Sequence, residues 1–330
     1  MGLLLEWTAD ALLLAIAAAL TLWMAGAIYF DVCQGASWGR LLAAAWAIAV
    51  MMLFAVWRPL WHPFVALLGV STLFLWWWLR QQPSHNHEWD PAVAVLPRAI
   101  RDGDLITIEN VRNFEYRSLD DFTPRYETRS FHLAKLRAVD IIFFNWGSAW
   151  MNHPVMVFDF GAEGRVCVSI EVRYRQGQNY AVVRSFYRQQ EMIFVVADER
   201  DVILRRTKYG RGQQAHLYHL NSTPAELRTV FLDYIAEINN LYDQPRWYHG
   251  MCANCTTTFY RLPNSRIRFD WRVIANGSLD KALYEDGRLD QTLPFAKLRQ
   301  VSYLNEIANR APEHDFGDYI RRELERRRHE

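Results

Sequence analysis

Residues 248–259, YHGMCANCTTTF, are the stretch around which the soluble part of the chain is organised. Asn254 is one of the residue types preferred at the N-cap of a helix, so the pattern predicts a helix that begins at Cys255. The first-turn amides and the positive end of the helix dipole lower the pKa of a thiol in that position and favour the thiolate. The stretch therefore predicts that Cys255 is a nucleophile.

A thiol nucleophile needs a base, and the best candidate lies about a hundred residues upstream, in WMNHPV, residues 150–155. Imidazole titrates near neutrality, so His153 can accept the thiol proton and return it to a leaving group. We therefore predict that His153 and Cys255 form a reacting pair. The alternative is that His153 lies at a strand edge and is satisfied by the local backbone.

The cysteines have three alternative roles. Cys255 is also the kind of small thiol that is commonly buried in a core. Cys252 and Cys255 have the spacing of a redox pair, but they follow a long helix rather than the first strand of a βαβ unit. His249 and the two cysteines supply only three zinc ligands, with no visible fourth. We therefore predict no metal and no cofactor.

The composition narrows the class of protein. The 330 residues carry a net charge of +1, which argues against the basic face of a nucleic-acid-binding protein, so we expect no nucleic-acid partner. Four cysteines are too few for a disulfide scaffold. The apolar residues are concentrated in residues 1–80, and the remainder has the composition of an ordinary soluble domain.

Three apolar runs are long enough to cross a bilayer when flanking tryptophans are counted as interface residues: residues 11–30, 41–57 and 64–79. The alternatives are a buried helical hairpin and a cleaved signal peptide, and the acidic start disfavours the latter. The charges do not decide the orientation. We predict a three-helix transmembrane anchor over residues 1–80, a linker over 81–103 and one catalytic domain over 104–330.

The soluble part has the patterns of an α+β fold. Residues 138–145 are a continuous apolar run typical of a buried strand, and residues 155–160 and 165–174 flank a turn, which predicts a β-hairpin. TPAE, residues 223–226, supplies an N-cap, a proline at N1 and a capping-box glutamate before a long amphipathic helix. We predict an antiparallel sheet packed on the helix that carries Cys255.

The third member of the site has two candidates, Glu171 and Asp159. A papain-like site needs a polar group that holds the second imidazole nitrogen. Glu171 shares the face of His153 if the loop of the hairpin has an odd number of residues. An ion pair with Arg173 is the competing use of Glu171, and Asp159 is the second candidate.

Four further residues are candidates for binding. The Cys255 backbone N–H should contribute to an oxyanion hole, with Asn254 and the Asn152 side chain beside it. Arg112 and Arg173 can bind a lipid phosphate or a carboxylate through paired hydrogen bonds. Structural salt bridges are the alternative role for both arginines.

Several motifs resemble those of the periplasmic domain of Lnb-type bacterial lipoprotein N-acyltransferases. They occur in the same order over residues 88–300: IENVRNF at 108–114, SIEVR at 169–173, WY at 247–248 and NCTT at 254–257. More distantly, a histidine on a strand followed by a cysteine on a helix resembles permuted papain-like enzymes, namely NlpC-type peptidases and relatives of lecithin:retinol acyltransferase.

The resemblance implies a thiol that takes an acyl group as a thioester and transfers it to an amine, an alcohol or water. It also implies a bacterial inner-membrane protein whose domain faces the periplasm and whose partner is a lipid or lipoprotein. Three apparent spans before the domain depart from a secreted family member, so the substrate does not carry over directly. Two hypotheses remain open beside the acyltransferase: an amidase or protease on cell-wall peptides, and a non-catalytic membrane adaptor.

Overall fold

The chain begins with three apolar helices. The computed structural model describes residues 2–146, 151–178, 181–210, 212–260, 272 and 276–330. The three helices are α1 (Gly2–Ala27), α2 (Gly39–Val56) and α3 (Trp61–Leu79), and a π turn, Ile28–Val32, prolongs α1. Each is long and apolar enough to cross a membrane, and only 17–22% of the residues in each span are buried within the protein. Apolar side chains left uncovered over such a length are typical of lipid-facing helices.

The remaining elements form an α+β arrangement, as predicted, in which most of the strands precede the helices. The strands are β1 (Arg98–Asp102), β2 (Leu105–Arg112), β3 (Glu115–Tyr116), β4 (Phe122–Thr123), β5 (Tyr126–His132), β6 (Ala138–Asn145), β7 (Asn152–Asp159), β8 (Arg165–Arg173), β9 (Glu191–Ala197) and β10 (Gln214–His219). The helices are α4 (Glu199–Thr207), α5 (Pro224–Asp243), α6 (Cys255–Tyr260), α7 (Leu279–Glu285), α8 (Phe295–Val301), α9 (Asn305–Arg310) and α10 (Phe316–His329).

Eight of the strands form one sheet in the order β1-β2-β9-β8-β7-β6-β10, with β5 also paired to β2. The β1–β2, β2–β5, β6–β7, β6–β10 and β7–β8 pairs are antiparallel, and the contact between β2 and β9 is parallel at Arg112 and Ala197. Strand β7 is buried along its whole length, which means that both faces of the sheet are covered at its centre.

Alternation along β7 separates the two faces. Val155 and Val157 point into a core shared with residues of α4, α9 and α10. Phe158 points to the other side, where its ring contacts Phe231 and Tyr234 of α5. Successive side chains of a strand point to opposite faces, so the α4 face of the sheet carries the odd-numbered residues of β7 and the α5 face the even-numbered ones.

The predicted hairpin is present as β7 and β8. Val155 pairs with Ser169 and Asp159 pairs with Arg165, so the connection holds the five residues 160–164. Because this number is odd, Glu171 lies on the same face of the hairpin as His153, which is the condition stated in the sequence analysis. Continuing the register places Glu171 opposite His153 on the α4 face.

The amphipathic helix α5 begins as predicted. The Thr223 hydroxyl accepts from the Glu226 backbone N–H, the Glu226 carboxylate accepts from the Thr223 backbone N–H, and Pro224 stands at the first helical position.

The first strand of the sheet contacts α5. The Asn239 side chain of α5 accepts from the Ala99 N–H (2.9 Å) and donates to the Ala99 carbonyl (2.8 Å). The sheet therefore starts at Arg98, inside the stretch predicted as a linker over residues 81–103.

The chain divides into two compact units. One contains residues 1–85 together with two later segments, 180–191 and 246–249. The other contains residues 86–179, 192–245 and 250–330. We refer to them as the helical unit and the sheet unit. The helical unit is thus larger than the anchor over residues 1–80 that the sequence suggested.

Candidate functional site

The His153 imidazole lies at the start of a hydrogen-bonded chain on the α4 face of the sheet. Its Nε2 is 2.7 Å from the Ser169 hydroxyl, and that hydroxyl donates to Glu171 Oε1 at 2.8 Å. Arg206 of α4 donates to the same carboxylate oxygen at 2.5 Å. Ser169 and Glu171 are two residues apart on β8, so both face the odd-numbered side on which His153 lies.

The chain of donors determines the protonation of the imidazole. An ionised carboxylate only accepts hydrogen bonds, so the Ser169 proton must point to Glu171. The Ser169 oxygen then accepts from His153, which requires the proton of the imidazole on Nε2. Nδ1 consequently keeps its lone pair. His153 is thus held in the tautomer whose Nδ1 can accept a proton.

The charges of the site agree with this assignment. Burial first, and then the positive charge of Arg206, lower the pKa of His153 to about 4, although Glu171 opposes the shift. Burial alone would raise the pKa of Glu171, but Arg206 and His153 lower it far below its ordinary value. At neutral pH the imidazole is therefore neutral and the carboxylate is ionised, as a base and its orienting group should be.

Arg206 and Ser169 were not singled out by the sequence analysis. Arg206 lies four residues after the buried Val202 on α4, and this helical spacing puts both on the core-facing side. Ser169 follows Cys167 at the strand period, in a stretch that is apolar on this face. The periodicity of α4 and the alternation of β8 thus indicated that Arg206 and Ser169 are buried. Their proximity to each other depends on how α4 packs on the sheet.

Cys255 is the first residue of α6, as predicted, and Asn254 caps that helix. Asn254 Oδ1 accepts from the backbone N–H groups of Thr256 (3.0 Å) and Thr257 (2.8 Å), while the Asn254 N–H donates to the Thr257 hydroxyl (3.0 Å). The Cys255 side chain is buried, and its sulfur is 3.6 Å from the Thr256 hydroxyl. Asn254 therefore orders the turn that carries the thiol.

The helix α6 packs against β7 and β8, the two strands that carry His153 and Glu171. Burial first, and then the charge of a Cys255 thiolate, raises the pKa of the Tyr234 phenol well above its ordinary value. Tyr234 belongs to the α5 face, whereas the His153 side chain is on the α4 face. Among the residues that the structure describes, the imidazole hydrogen-bonds to Ser169 through Nε2, which also lies 3.4 Å from an Arg206 guanidinium nitrogen, and it makes no hydrogen bond to the thiol.

The remaining polar candidates have structural partners. The Asn152 amide donates to the Gly277 carbonyl (2.9 Å) and accepts from Asn145 (2.8 Å). The Arg112 guanidinium donates twice to Asp201 Oδ1 (3.0 and 2.7 Å). These contacts make Asn152 and Arg112 cross-links of the fold.

Arg173 is also buried, and no ion pair with Glu171 accounts for it. Its guanidinium donates to the Val93 carbonyl (3.1 Å) and the Ala94 carbonyl (2.5 Å), and it lies over the Trp89 ring at 4.1 Å. The ion pair that the sequence analysis allowed between Glu171 and Arg173 is formed instead between Glu171 and Arg206. Asp159, the second candidate for the orienting group, pairs with Arg137 and Arg165.

None of the four cysteines is in a disulfide, so Cys252 and Cys255 are not joined as a redox pair would be in its oxidised form. Cys252 is exposed and Cys255 is buried. Within the described part of the chain, no group of three or more histidine, cysteine, aspartate or glutamate side chains is arranged to hold a metal ion.

Comparison with known proteins adds one match. Residues 122–277 match the family model of the Lnb N-terminal periplasmic domain, which confirms the resemblance over these residues, although the motif at 108–114 lies outside the match. No curated protein and no solved structure matches the chain. Three apolar helices long enough to cross a membrane are thus followed in the chain by a segment that is similar to the Lnb N-terminal periplasmic domain, which indicates a membrane-anchored protein.

Proposed function

We propose that the protein is a cysteine acyltransferase or acyl hydrolase in which Cys255 is the nucleophile and His153 the base. The observation that carries the proposal is the chain from Glu171 through Ser169 to His153 Nε2, which leaves a lone pair on Nδ1. A neutral imidazole that a third polar group holds in place is the arrangement by which a base activates a thiol or hydroxyl nucleophile.

The reaction has two half-steps. His153 Nδ1 takes the proton of the Cys255 thiol, and the thiolate attacks the acyl carbonyl to form a thioester. The imidazolium gives its proton to the departing alcohol or amine. In the second half-step an amine, an alcohol or water gives a proton to His153 and attacks the thioester, after which the imidazolium returns the proton to the thiolate. Glu171 stabilises the transient imidazolium through Ser169.

The geometry of the elements favours such a meeting. His153 is the second residue of β7 and Cys255 is the first residue of α6, so both stand at the ends of elements that pack on each other. The proposal requires Nδ1 and the sulfur to approach within hydrogen-bond reach around the end of β7 during catalysis, since catalytic contacts often tighten only with substrate bound.

The oxyanion donor in this proposal is the backbone N–H of Cys255. It stands in the first turn of α6, which Asn254 orders by accepting from the N–H groups of Thr256 and Thr257. The Asn152 side chain donates to the Gly277 carbonyl and accepts from the Asn145 amide, so we give it a supporting role.

A lipid or lipoprotein is the substrate class that fits the anchor. His249 belongs to the helical unit, and five residues, 250–254, stand between it and Cys255 in the sequence. We further propose that the three helices are spans of a bacterial inner membrane, with the sheet unit in the periplasm.

Mass spectrometry of the full chain in detergent, after incubation with a reactive acyl or epoxysuccinyl probe, tests the proposal. We expect one adduct, on Cys255, that disappears in Cys255→Ser and persists in Cys252→Ser, the matched exposed thiol. An adduct on Cys252 alone, or none, would contradict the proposal. Release of a peptide from a cell-wall fragment, without acyl transfer from lipid, would favour an amidase or protease.

A non-catalytic membrane adaptor is the second candidate. The observation that favours it is that, among the described residues, the His153 imidazole hydrogen-bonds to Ser169 and makes no hydrogen bond to the Cys255 thiol. An adaptor would keep its partner when Cys255→Ser and His153→Ala are combined. An enzyme would lose adduct formation in each variant alone.

A further inference from the structure

The helical unit includes a loop that comes from the sheet. Residues 181–190, AVVRSFYRQQ, lie between β8 and β9, contain a 3₁₀ turn at Val182–Phe186, and belong to the same compact unit as α1, α2 and α3. Both of its charged residues are arginines, and the other residues are apolar, aromatic or uncharged. A mixture of apolar, aromatic and basic residues without acids is typical of segments that lie at a membrane surface.

The loop packs along the end of α1. The Tyr187 ring stacks on Phe30 with ring centres 5.0 Å apart, and its hydroxyl occupies the place where a side chain at Gly26 would begin. Gln189 donates to Asp31 at 3.0 Å. Gly26 lies six residues before Val32, the end of the span, which corresponds to about 9 Å along the helix axis. The loop therefore reaches past the end of α1 to a level that lies within the span.

The same loop contacts the end of α3. The Arg188 guanidinium lies over the Trp78 ring at 4.3 Å, and the Trp78 indole donates to Asp31 at 2.6 Å. Tryptophan at the end of a span marks the headgroup level of a bilayer, and arginine extends its charge toward that level. Contacts with the ends of α1 and α3 thus both place the loop at the level of the ends of these two helices.

Part of the loop is uncovered. Val182 and Val183 are 45% and 56% exposed, although the same segment packs on α1 through Tyr187. Two neighbouring apolar side chains beside the ends of membrane-spanning helices are covered most simply by lipid. The basic charges of Arg184 and Arg188 would attract anionic headgroups.

We infer that residues 181–190 form an interfacial loop that inserts Val182 and Val183 into the acyl–headgroup boundary of the bilayer, with Arg184 and Arg188 at the phosphate level. The occupant of this surface is a phospholipid bilayer containing anionic lipid. The inference concerns the anchor and does not depend on the chemistry proposed for Cys255.

Site-specific fluorescence tests the inference without using activity. The full chain, in a Cys252→Ser, Cys255→Ser background, carries one added cysteine labelled with an NBD dye and is placed in nanodiscs of phosphatidylethanolamine and phosphatidylglycerol. Val183→Cys is the test position. Met51→Cys, exposed on α2, is the lipid reference, and Asp120→Cys, exposed in a charged turn, is the water reference.

We expect the dye at position 183 to lose most of its emission when lipid with a doxyl group near the headgroup is included, and to be shielded from aqueous iodide. The dye at position 120 should behave in the opposite way. Quenching of position 183 by iodide, with no more response to the doxyl lipid than at position 120, would overturn the inference.

A second experiment tests the contact that places the loop. Gly26→Leu would push the Tyr187 hydroxyl away from α1, whereas Gly69→Leu on α3 meets no atom within 4 Å and is the matched control. In nanodiscs we expect trypsin to cleave after Arg184 and Arg188 faster in Gly26→Leu than in the parent chain, and at the parent rate in Gly69→Leu. Equal cleavage of both variants would show that Tyr187 does not hold the loop in the membrane.

Discussion

Two histidines of the sheet unit lie beside a carboxylate, and their pKa values move in opposite directions. His153 is buried, reaches Glu171 only through Ser169, and faces Arg206, so its pKa falls to about 4. His219 is half-exposed and hydrogen-bonds directly to Asp140 at 2.9 Å, which raises its pKa above the ordinary value. A neighbouring carboxylate therefore does not by itself determine the state of a histidine.

The difference separates two uses of the same residue types. A directly bonded, hydrated histidine is stabilised as a cation and serves an ion pair. A desolvated histidine next to an arginine is kept neutral and can accept a proton. The two clusters share the α4 side of the sheet unit, because α4 supplies Arg206 to one and Glu199, at its first turn, to the other.

The largest expected effect is on the rate of thiol modification. His153→Ala removes the base, so we expect the rate of probe adduct formation at Cys255 to fall roughly 100- to 10,000-fold, the range typical of a lost general base. His219→Ala should leave the rate near that of the parent chain. Mass spectrometry over a time course measures both. Equal rates in the two variants would remove the distinction between the histidines.

The next effect is on stability. Arg321 bridges Asp140 and Glu199, with nitrogen–oxygen distances of 2.5 and 2.9 Å. Arg321→Met removes the cation that pairs with buried Glu199 and Asp140, although Asp140 keeps His219, and breaking a buried pair costs about 3–5 kcal/mol. Arg206→Met should cost a similar amount, because Ser169 is then the hydrogen-bond donor that Glu171 keeps among the described residues. The urea concentration at half-unfolding of the full chain in detergent reports both losses.

Only one of these variants should also change the pH profile of thiol modification. Removing the Arg206 charge raises the pKa of His153, so the acidic limb of the profile should move to higher pH in Arg206→Met. Arg321→Met should keep the parent profile. A shift in both variants, or in neither, would mean that Arg206 does not set the state of His153.

The pH dependence of stability should have opposite signs at the two histidines. The folded pKa of His153, about 4, is below the ordinary 6.5, so its contribution is present above pH 6.5 and is lost as the pH falls toward 4. At about 1.4 kcal/mol per pH unit this amounts to about 3 kcal/mol. The contribution of His219 is present below 6.5 and is lost as the pH rises through its raised pKa.

Half-unfolding urea concentrations measured from pH 4 to pH 8 check these signs. His153→Ala should flatten the acidic part of the curve, and His219→Ala the part above pH 6.5. Because the side chain of His219 is 54% exposed, solvent screening makes its effect the smaller of the two. A steeper acidic limb in His153→Ala would contradict the assigned neutral state.

The smallest expected change is at the serine of the relay. Ser169→Ala removes the acceptor of the His153 Nε2 proton and one donor to Glu171, at a cost of about 1–3 kcal/mol. The imidazole should then populate both tautomers, which its ¹⁵N chemical shifts report. Ser130→Ala, an exposed hydroxyl bonded to Thr107, is the control. Unchanged ¹⁵N shifts in Ser169→Ala would show that the relay does not select the tautomer.

Local patterns predicted much of the architecture. The three apolar helices, the capped start of α5 and the β7–β8 hairpin follow from composition, capping residues and strand period, which act over short stretches of chain. The face of Glu171 was predictable as a condition on the length of one loop. The family resemblance was also visible in the motifs at 169–173 and 254–257.

Other features depend on contacts between distant segments. Arg206 pairs with Glu171 because α4 packs across β8, thirty-five residues away in the chain. The strand β1 falls in a polar, proline-marked stretch, and it is held in place by Asn239 from α5. Hydrophobic periodicity and capping residues do not indicate which distant segments pack together. The sequence analysis therefore extended the linker to residue 103, past the start of β1, and did not identify Arg206.

The Asn239–Ala99 contact has a consequence for self-association. The Asn239 side-chain amide makes the two backbone hydrogen bonds that a further strand would make to β1 at its edge of the sheet. Residues 302–304 cover the edge at β10 in the same way. There the Leu217 N–H donates to the Ser302 carbonyl (3.0 Å) and the Leu304 N–H donates to the Ala215 carbonyl (2.8 Å). An exposed edge strand can pair with a strand of another molecule, and the high local concentration at a membrane surface would favour aggregation by this route. Asn239→Leu should remove the two hydrogen bonds that cover β1 and expose its edge to strand pairing with neighbouring copies.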